Sequence, residues 1–273
     1  MTQTIPYWHV DAFSDSPFGG NQAAVMVLDE WLPDDVLVKI GAENLFAETA
    51  FVVRDKTGEA DWELRWFTPA VEVVLCGHAT LASGHVLLGL DGPEKDKGRV
   101  TFRTRQSGVL EVVKSGEGLE LALPSLRAEP EPHDELLDVL GAPGEVFQCV
   151  RKEQETAIVL YESEAQVRAL APDFARLKDI PLMVIATAPG DTTDIVSRVF
   201  VSAYGIDEDS VTGSAHAALT PFWVDRLGRN GLSAHQASER GGDLALRLEG
   251  DAENGRVWLG GPCVTVVEGS FYL

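Results

Sequence analysis

The sequence predicts an α+β fold built from two similar halves, each a curled, mostly antiparallel sheet or barrel around one central helix. Two stretches predict the helices: VVLCGHATLASGHVLL at 73–88 and DSVTGSAHAAL at 209–219 both pass from a glycine turn into small, uncharged residues. A helix that is apolar on nearly every side is buried. Such a helix needs apolar cover all round, and strand-like patterns in both halves indicate that sheets provide this cover.

The first half begins with two strand patterns separated by the turn-rich segment SDSPFGGN. A short surface helix is expected at 33–43, because Pro33 and two aspartates suit its first turn, and it should end near Asn44. Strands are expected at 7–13, 23–28, 45–53, 64–68, 100–103 and 108–113, the last two forming a hairpin.

A proline-rich, acidic segment follows and predicts a domain boundary. We expect an N-terminal domain at 1–121, a linker at 122–132 and a C-terminal domain at 133–273, whose last strand is a candidate to return to the first domain. In the second half we expect helices at 134–140 and 164–170, and strands at 146–150, 156–160, 182–186, 196–203, 243–248, 256–259 and 263–267.

Composition excludes several classes of protein. The net charge of −21 repels nucleic acid and anionic membranes, so neither is expected as a partner. Neither a charged-then-apolar leader nor a long apolar run is present, which predicts a cytoplasmic protein. The three cysteines are far apart and lack the CxxC spacing, so neither a disulfide framework nor a metal site is expected, and Cys149 and Cys263 are expected to be buried. Strand-rich domains with open edges favour a homodimer.

One carboxylate interrupts the apolar pattern LFAETAFVV at 45–53. The period-two alternation of a strand places Glu48 on the same face as Phe46, Ala50 and Val52. If that face is buried, desolvation raises the pKa of such a carboxylate towards the range useful for proton transfer. The alternative is a solvent-facing glutamate on an edge strand.

Several motifs occur together in one order: FGGNQAAV at 18–25, NLFAETAFV at 44–52, RWFTPAVEVVLCGHATLASGH at 65–85, EDSVTGSAHAAL at 208–219, ERGG at 239–242 and GGP at 260–262. Together they resemble the PhzF-like phenazine-biosynthesis family. The resemblance implies the diaminopimelate-epimerase-like fold, with the site in the cleft between the two domains. It also implies isomerisation by proton shuttling on a small, cyclic amino or hydroxy acid, without metal, nucleotide or flavin.

The resemblance assigns roles to particular residues. It implies that Glu48 is the acid/base residue and that His78 and Asp209 are further catalytic residues. Asn21, Gly77, Gly213 and Ser214 are the implied substrate-binding positions, the glycines through backbone NH groups at the two helix starts. These polar residues could also have purely structural roles. In that case His78 or Asp209 would cap a helix, and Ser214 would form a hydrogen bond with a backbone group.

Cys76 precedes the glycine of the first stretch, whereas Thr212 holds the matching position in the second. Related epimerases of this fold look like paired-thiol enzymes, so two-cysteine racemisation is not expected here. Cys76 stays a candidate reactive thiol, because a helix start lowers thiol pKa. Pro221 is expected to kink the second helix or end it early.

The remaining histidines and aromatic residues receive simpler expectations. His85 and His216 are expected to be hydrogen-bonded structural residues, and no role is assigned to His9, His133 or His235. Phe46 and Phe67 are expected to form apolar walls for a ring-bearing acid. Three functions stay open: an isomerase using Glu48, an epimerase in which Cys76 takes part, and a protein that binds a small acid or a protein partner without turnover.

Overall fold

The computed structural model describes residues 3–116, 118–149 and 155–273. The chain divides into two compact units, Met1–Ala122 with Gly260–Leu273, and Leu123–Leu259. Each unit is described by itself. Residue 150, the last of the strand expected at 146–150, lies outside the described residues.

The strands are short and are distributed over the whole chain. They are β1 Thr4–Ala12, β2 Asn21–Leu28, β3 Glu48–Arg54, β4 Trp62–Phe67, β5 Glu72–Val73, β6 Arg99–Arg103, β7 Val109–Ser115, β8 Gly118–Pro124, β9 Glu129–Pro130, β10 Glu145–Cys149, β11 Glu155–Leu160, β12 Leu182–Pro189, β13 Ile195–Phe200, β14 Glu208–Asp209, β15 Leu232–Gln236, β16 Gly242–Glu249, β17 Arg256–Gly261 and β18 Cys263–Tyr272.

The helices connect these strands. They are α1 Asp34–Asn44, α2 Gly77–Gly89, α3 Pro93–Lys97, α4 Asp134–Leu140, α5 Glu164–Ala169, α6 Phe174–Leu177 and α7 Gly213–Leu227, with one 3₁₀ turn at Ser202–Tyr204. The helix expected at 33–43 is α1, which ends at Asn44 as predicted.

The two units repeat one strand topology. In the first unit the strand pairs are alternately antiparallel and parallel. The pairs β1–β18, β1–β2, β3–β4 and β6–β7 are antiparallel, and the pairs β2–β3 and β4–β6 are parallel. In the second unit the same alternation runs through β10, β11, β12, β13, β15 and β16. Short helices come before the third strand of each series: α1 before β3, and α5 and α6 before β12. A long buried helix comes before the fifth strand: α2 before β6, and α7 before β15. The prediction of two similar α+β halves, each with one central helix, is therefore confirmed.

Helix α2 is the core of the first unit, as its uncharged sequence predicts. Nearly every residue of α2 is buried, and the helix contacts β1, β2, β3, β6, β7 and β18. At Gly84 the packing leaves no room for a side chain, because an added Cβ would lie 2.5 Å from Cγ1 of Val112. Glycine therefore lets the sheet approach the helix closely.

The strand expected at 45–53 begins three residues later than predicted. Leu45 is instead the C-cap of α1, with φ 57°, and its side chain is exposed. Its NH donates to the carbonyl of Gly41, which closes the last turn of the helix. The apolar lead into α2 also differs from the expected buried strand, because β5 has two residues and both are half-buried.

Helix α7 runs through Pro221, so this proline does not end the helix early, and the expected kink stays a prediction. A proline has no NH to donate to the carbonyl four residues before it, which here belongs to Ala217. The NH of Leu126 donates to that carbonyl instead, at 3.3 Å. A hydrogen bond from outside the helix thus replaces the one that proline removes.

Two other sequence expectations concern burial. Cys149 is buried as expected, but Cys263, the first residue of β18, is partly exposed. Among the described residues, no helix has both the length and the apolar character needed to cross a membrane.

Candidate active site

Four of the residues singled out in the sequence meet in the first unit. Asn21 opens β2 and Glu48 opens β3, and the parallel pairing of these strands places Ala23 opposite Glu48. Cys76 is the N-cap of α2, and His78 lies in the first turn of that helix. The first residues of β2 and β3 and the first turn of α2 therefore lie together at one end of the sheet.

His78 contacts all three of the other residues. Its Nε2 lies 3.3 Å from Oε2 of Glu48, and its Nδ1 lies 3.1 Å from Nδ2 of Asn21. The sulfur of Cys76 lies 3.6 Å from Nδ1 and 4.0 Å from Nε2. When the Asn21 amide donates to Nδ1, the imidazole proton sits on Nε2 and points at the Glu48 carboxylate. His78 thus lies between the carboxylate of Glu48, the amide of Asn21 and the thiol of Cys76.

The group is buried on the helix side and more open at Glu48. The side chain of His78 is 5 % exposed and that of Glu48 is 19 % exposed. Strand β3 lies between β2 and β4, so Glu48 does not stand on an edge strand, and Ala50 and Val52 on its face are buried. The carboxylate is therefore partly desolvated and still reachable by a small molecule.

The start of α2 adds backbone dipoles to this group. Cys76 is the N-cap but its side chain makes no capping hydrogen bond, and Gly77 opens the helix. NH groups at a helix start carry partial positive charge and bind carboxylates or oxyanions. A base beside an anion-binding helix start is an arrangement that can remove a proton from carbon and hold the resulting anion.

The other predicted site residues lie in the second unit. Asp209 ends β14, and its Oδ2 accepts a hydrogen bond from Oγ1 of Thr212 at 2.5 Å. Thr212 is the N-cap of α7, so the interpretation of Asp209 as the cap is wrong: three positions separate it from the helix. Gly213 and Ser214 are the first two helical residues, and Oγ of Ser214 lies 3.9 Å from the sulfur of Met183.

Gln236 supports this second group and was not singled out in the sequence. Its fully buried side chain accepts from the NH of Thr212 at 2.8 Å and donates to the carbonyl of Asp209 at 2.7 Å. The amide thereby fixes the backbone between β14 and α7. No local signal indicates this role, because Gln236 lies in β15, beyond the whole of α7.

A second unpredicted group surrounds His9 in the first unit. The ring of His9 stacks on Phe46 with centroids 4.4 Å apart, and its Nε2 lies 3.1 Å from Nε2 of Gln22. The alternation of β1 places His9 and Asp11 on one face, which is the sequence signal that could have indicated the group. Phe46 thus stays a candidate wall, whereas Phe67 is buried in the core and packs on Phe51.

His216 and His85, which lie in the two long helices, make the structural hydrogen bonds expected of them. Nδ1 of His216 donates to the carbonyl of Thr212 at 2.8 Å, and its Nε2 lies 3.3 Å from Oγ of Ser197. Complete burial lowers the pKa of His216 to about 4. His85 contacts Oγ1 of Thr265 at 3.0 Å, and burial lowers its pKa as well.

Comparisons with known proteins agree with the geometry. The family model described as phenazine biosynthesis-like protein matches residues 10–269. A relative from Pseudomonas aeruginosa named as an uncharacterized isomerase is 47 % identical over 272 residues, covering 98 % of this chain and 99 % of its own. The crystal structure of a PhzF-family phenazine biosynthesis protein from Enterococcus faecalis superposes with a TM-score of 0.89 at 40 % identity, covering 99 % of this chain and 100 % of its own.

A more distant structure shares the fold. A hydroxyproline epimerase from Agrobacterium vitis superposes with a TM-score of 0.63 at 12 % identity, covering 99 % of this chain and 93 % of its own. This likeness confirms the epimerase-like fold that the sequence implied. Because the family model spans nearly the whole chain and relatives above 40 % identity cover it end to end, the chain belongs to the phenazine biosynthesis-like (PhzC-PhzF) family.

Proposed function

We propose that this protein is a cofactor-independent isomerase that moves a proton on a small carboxylic acid, with Glu48 as the acid/base residue. The observation that carries the proposal is the 3.3 Å contact between Oε2 of Glu48 and Nε2 of His78, at the start of a buried helix. The isomerase names of close relatives support the reaction class.

The chemistry needs a base, a place for the anion and a return path for the proton. The Glu48 carboxylate takes a proton from a carbon next to a carboxylate or carbonyl, and the electron pair of that C–H bond moves into the carbonyl group. The NH groups at the start of α2 stabilise the anion. In a substrate with a C=C bond beside that carbon, the protonated Glu48 then returns the proton to the far carbon of this bond and the double bond shifts by one position, so that no electrons are gained or lost.

The neighbouring side chains position this base. The Nε2 of His78 lies 3.3 Å from the carboxylate, and the Asn21 amide lies 3.1 Å from the opposite ring nitrogen. The substrate we propose is a small cyclic amino or hydroxy acid, whose carboxylate binds at Gly77 and whose ring contacts Phe46. In the second unit, Asp209, Gly213 and Ser214 stay proposed site residues through their resemblance to the family motif.

Proton exchange measured by NMR tests the proposal. The protein is incubated in D₂O with a panel of small cyclic and acyclic amino and hydroxy acids. Deuterium should enter one carbon of one class of acid, and Glu48→Gln should slow this exchange by about 10²–10⁴-fold, the usual contribution of a positioned general base. Glu43→Gln is the matched control, because Glu43 is exposed on α1. Unchanged exchange in Glu48→Gln would refute the assignment.

The epimerase alternative has its own support in the contact of Cys76 with both nitrogens of His78. If the thiol is the base, Cys76→Ser should stop the exchange while Glu48→Gln leaves it nearly intact. Tight binding of an acid without exchange in the unmodified protein would favour a binding protein instead.

A further inference from the structure

The first unit also holds three different metal-binding side chains in one place. One ligand atom from each of Glu48, Cys76 and His78 lies within 4.8 Å of the other two. A carboxylate oxygen, an imidazole nitrogen and a thiolate sulfur together suit Zn²⁺ and similar borderline-soft cations, whereas Mg²⁺ and Ca²⁺ prefer oxygen ligands alone. These three donor types therefore favour Zn²⁺ and similar cations over Mg²⁺ and Ca²⁺.

The separation of the nitrogen and oxygen donors fits that class. Bonds of about 2.3 Å to sulfur and about 2.0 to 2.2 Å to nitrogen and oxygen, at tetrahedral angles, place the ligand atoms about 3.4 to 3.6 Å apart. The Nε2 of His78 is 3.3 Å from Oε2 of Glu48 and 4.0 Å from the sulfur of Cys76. The nitrogen and oxygen already have the required separation. The sulfur lies nearer to Nδ1, at 3.6 Å, than to Nε2, so the Cys76 side chain has to turn towards Glu48 before it can bind the same ion.

Asn21 is placed to support the imidazole in both states. A metal-bound histidine donates its other ring NH to a neighbouring acceptor, which fixes the ring. The Asn21 amide lies 3.1 Å from Nδ1 of His78 and can present its oxygen instead of its nitrogen after a half-turn. The Nδ1–H then donates to that oxygen, and Nε2 is available to the metal.

The burial pattern leaves one side of the group open. His78 and Cys76 are almost fully buried, whereas the Glu48 side chain is 19 % exposed. Three protein ligands with one open side match zinc sites that keep a fourth position for water or another ligand. The net charge of −21 raises the local concentration of cations around the protein.

We propose that Glu48, Cys76 and His78 form a binding site for a Zn²⁺-class cation, and that its occupancy blocks the reaction by engaging the Glu48 carboxylate. Binding forms one bond each to oxygen, sulfur and nitrogen. The thiol proton is released to water, and the imidazole proton moves from Nε2 to Nδ1, so that the neutral ring keeps one proton. The site stands on the geometry alone, whereas the blocking effect rests on the proposed function.

Titration of the metal-free, full-length protein with Cd²⁺ and Co²⁺ tests the site, because a thiolate bound to either ion gives an ultraviolet charge-transfer band. We expect one ion per chain and a band that Cys76→Ser abolishes. Cys263→Ser is the matched control and should keep the band. A missing band in the unmodified protein, or a band that survives in Cys76→Ser, would overturn the proposal.

Affinity measurements extend the test to the other residues. Asn21→Ala keeps all three ligands, so the band should remain while binding weakens by about 10–100-fold. Glu48→Gln should also keep the band and lose at least as much affinity, which keeps the test decisive if Cys76→Ser does not fold. Equal affinity in Glu48→Gln and the unmodified protein would refute the carboxylate ligand.

The blocking effect is read in the deuterium-exchange assay. One equivalent of Zn²⁺ should stop the exchange, and a chelator should restore it. If the metal-free protein exchanges no acid, the proposed function fails while the titration still decides the site. If exchange continues unchanged with the metal bound, Glu48 is not engaged and the blocking proposal is wrong.

Discussion

The buried imidazole of His216 predicts how stability depends on pH. Its pKa falls from 6.5 to about 4 on folding, because the ring is fully buried in contact with Thr212 and Ser197. Below pH 6.5 the unfolded chain binds a proton that the folded chain does not. The free energy of unfolding therefore decreases as the pH falls from 6.5 to 4, and this contribution is constant above and below that window.

The size of the effect follows from the pKa shift. Each unit corresponds to about 1.4 kcal/mol, so the full shift amounts to about 3 kcal/mol below pH 4. At pH 5.0, where the folded form is still mostly neutral, the expected loss relative to neutral pH is about 2 kcal/mol. His85 adds a loss of the same sign, because burial lowers its pKa too.

Urea unfolding at pH 7.5, 6.5, 5.5 and 5.0 measures this loss, and the range stays above the pI near 4.5, where solubility is lowest. His216→Gln should flatten most of the pH dependence between 6.5 and 5.0. The matched control is His133→Asn, which replaces a partly exposed helix cap with another good cap and should keep the dependence. Equal pH slopes in His216→Gln and the unmodified protein would refute the reasoning.

Three further substitutions are predicted from packing and backbone hydrogen bonds, each measured by urea unfolding. Gly84→Ala should destabilise by about 1–3 kcal/mol, because the new Cβ overlaps Val112; a stabilised variant would show that helix propensity outweighs the overlap. Pro221→Ala should gain less than about 1 kcal/mol, well below the roughly 3 kcal/mol that an uncompensated helix-interior proline costs, and a larger gain would show that the replacement hydrogen bond is ineffective. Gln236→Ala should cost at least about 2 kcal/mol, because it removes the acceptor of the buried Thr212 NH; Gln236→Met keeps most of the volume but neither hydrogen bond and should cost a similar amount, and unchanged stability in Gln236→Met would contradict this account.

Several features follow from the sequence because they depend on neighbours along the chain. Helices α2 and α7 are readable from their small, uncharged residues, and α1 from Pro33 and its aspartates. The order of the motifs predicted the family, which the family model confirms. The homodimer, the cytoplasmic location and the linker at 122–132 stay predictions.

The tertiary structure decided what depends on distant residues. The parallel pairing of β2 and β3 brings Asn21 and Glu48 to the start of α2, and a sequence pattern contains no information on which strands pair in parallel. For the same reason the sequence did not predict that Glu48, Cys76 and His78 lie together, because no fixed spacing joins Glu48 to the CGH motif. Leu126 compensates for Pro221 from a different segment of the chain. Periodicity records which face of an element is apolar, whereas the contacts between elements are set by packing over the whole unit.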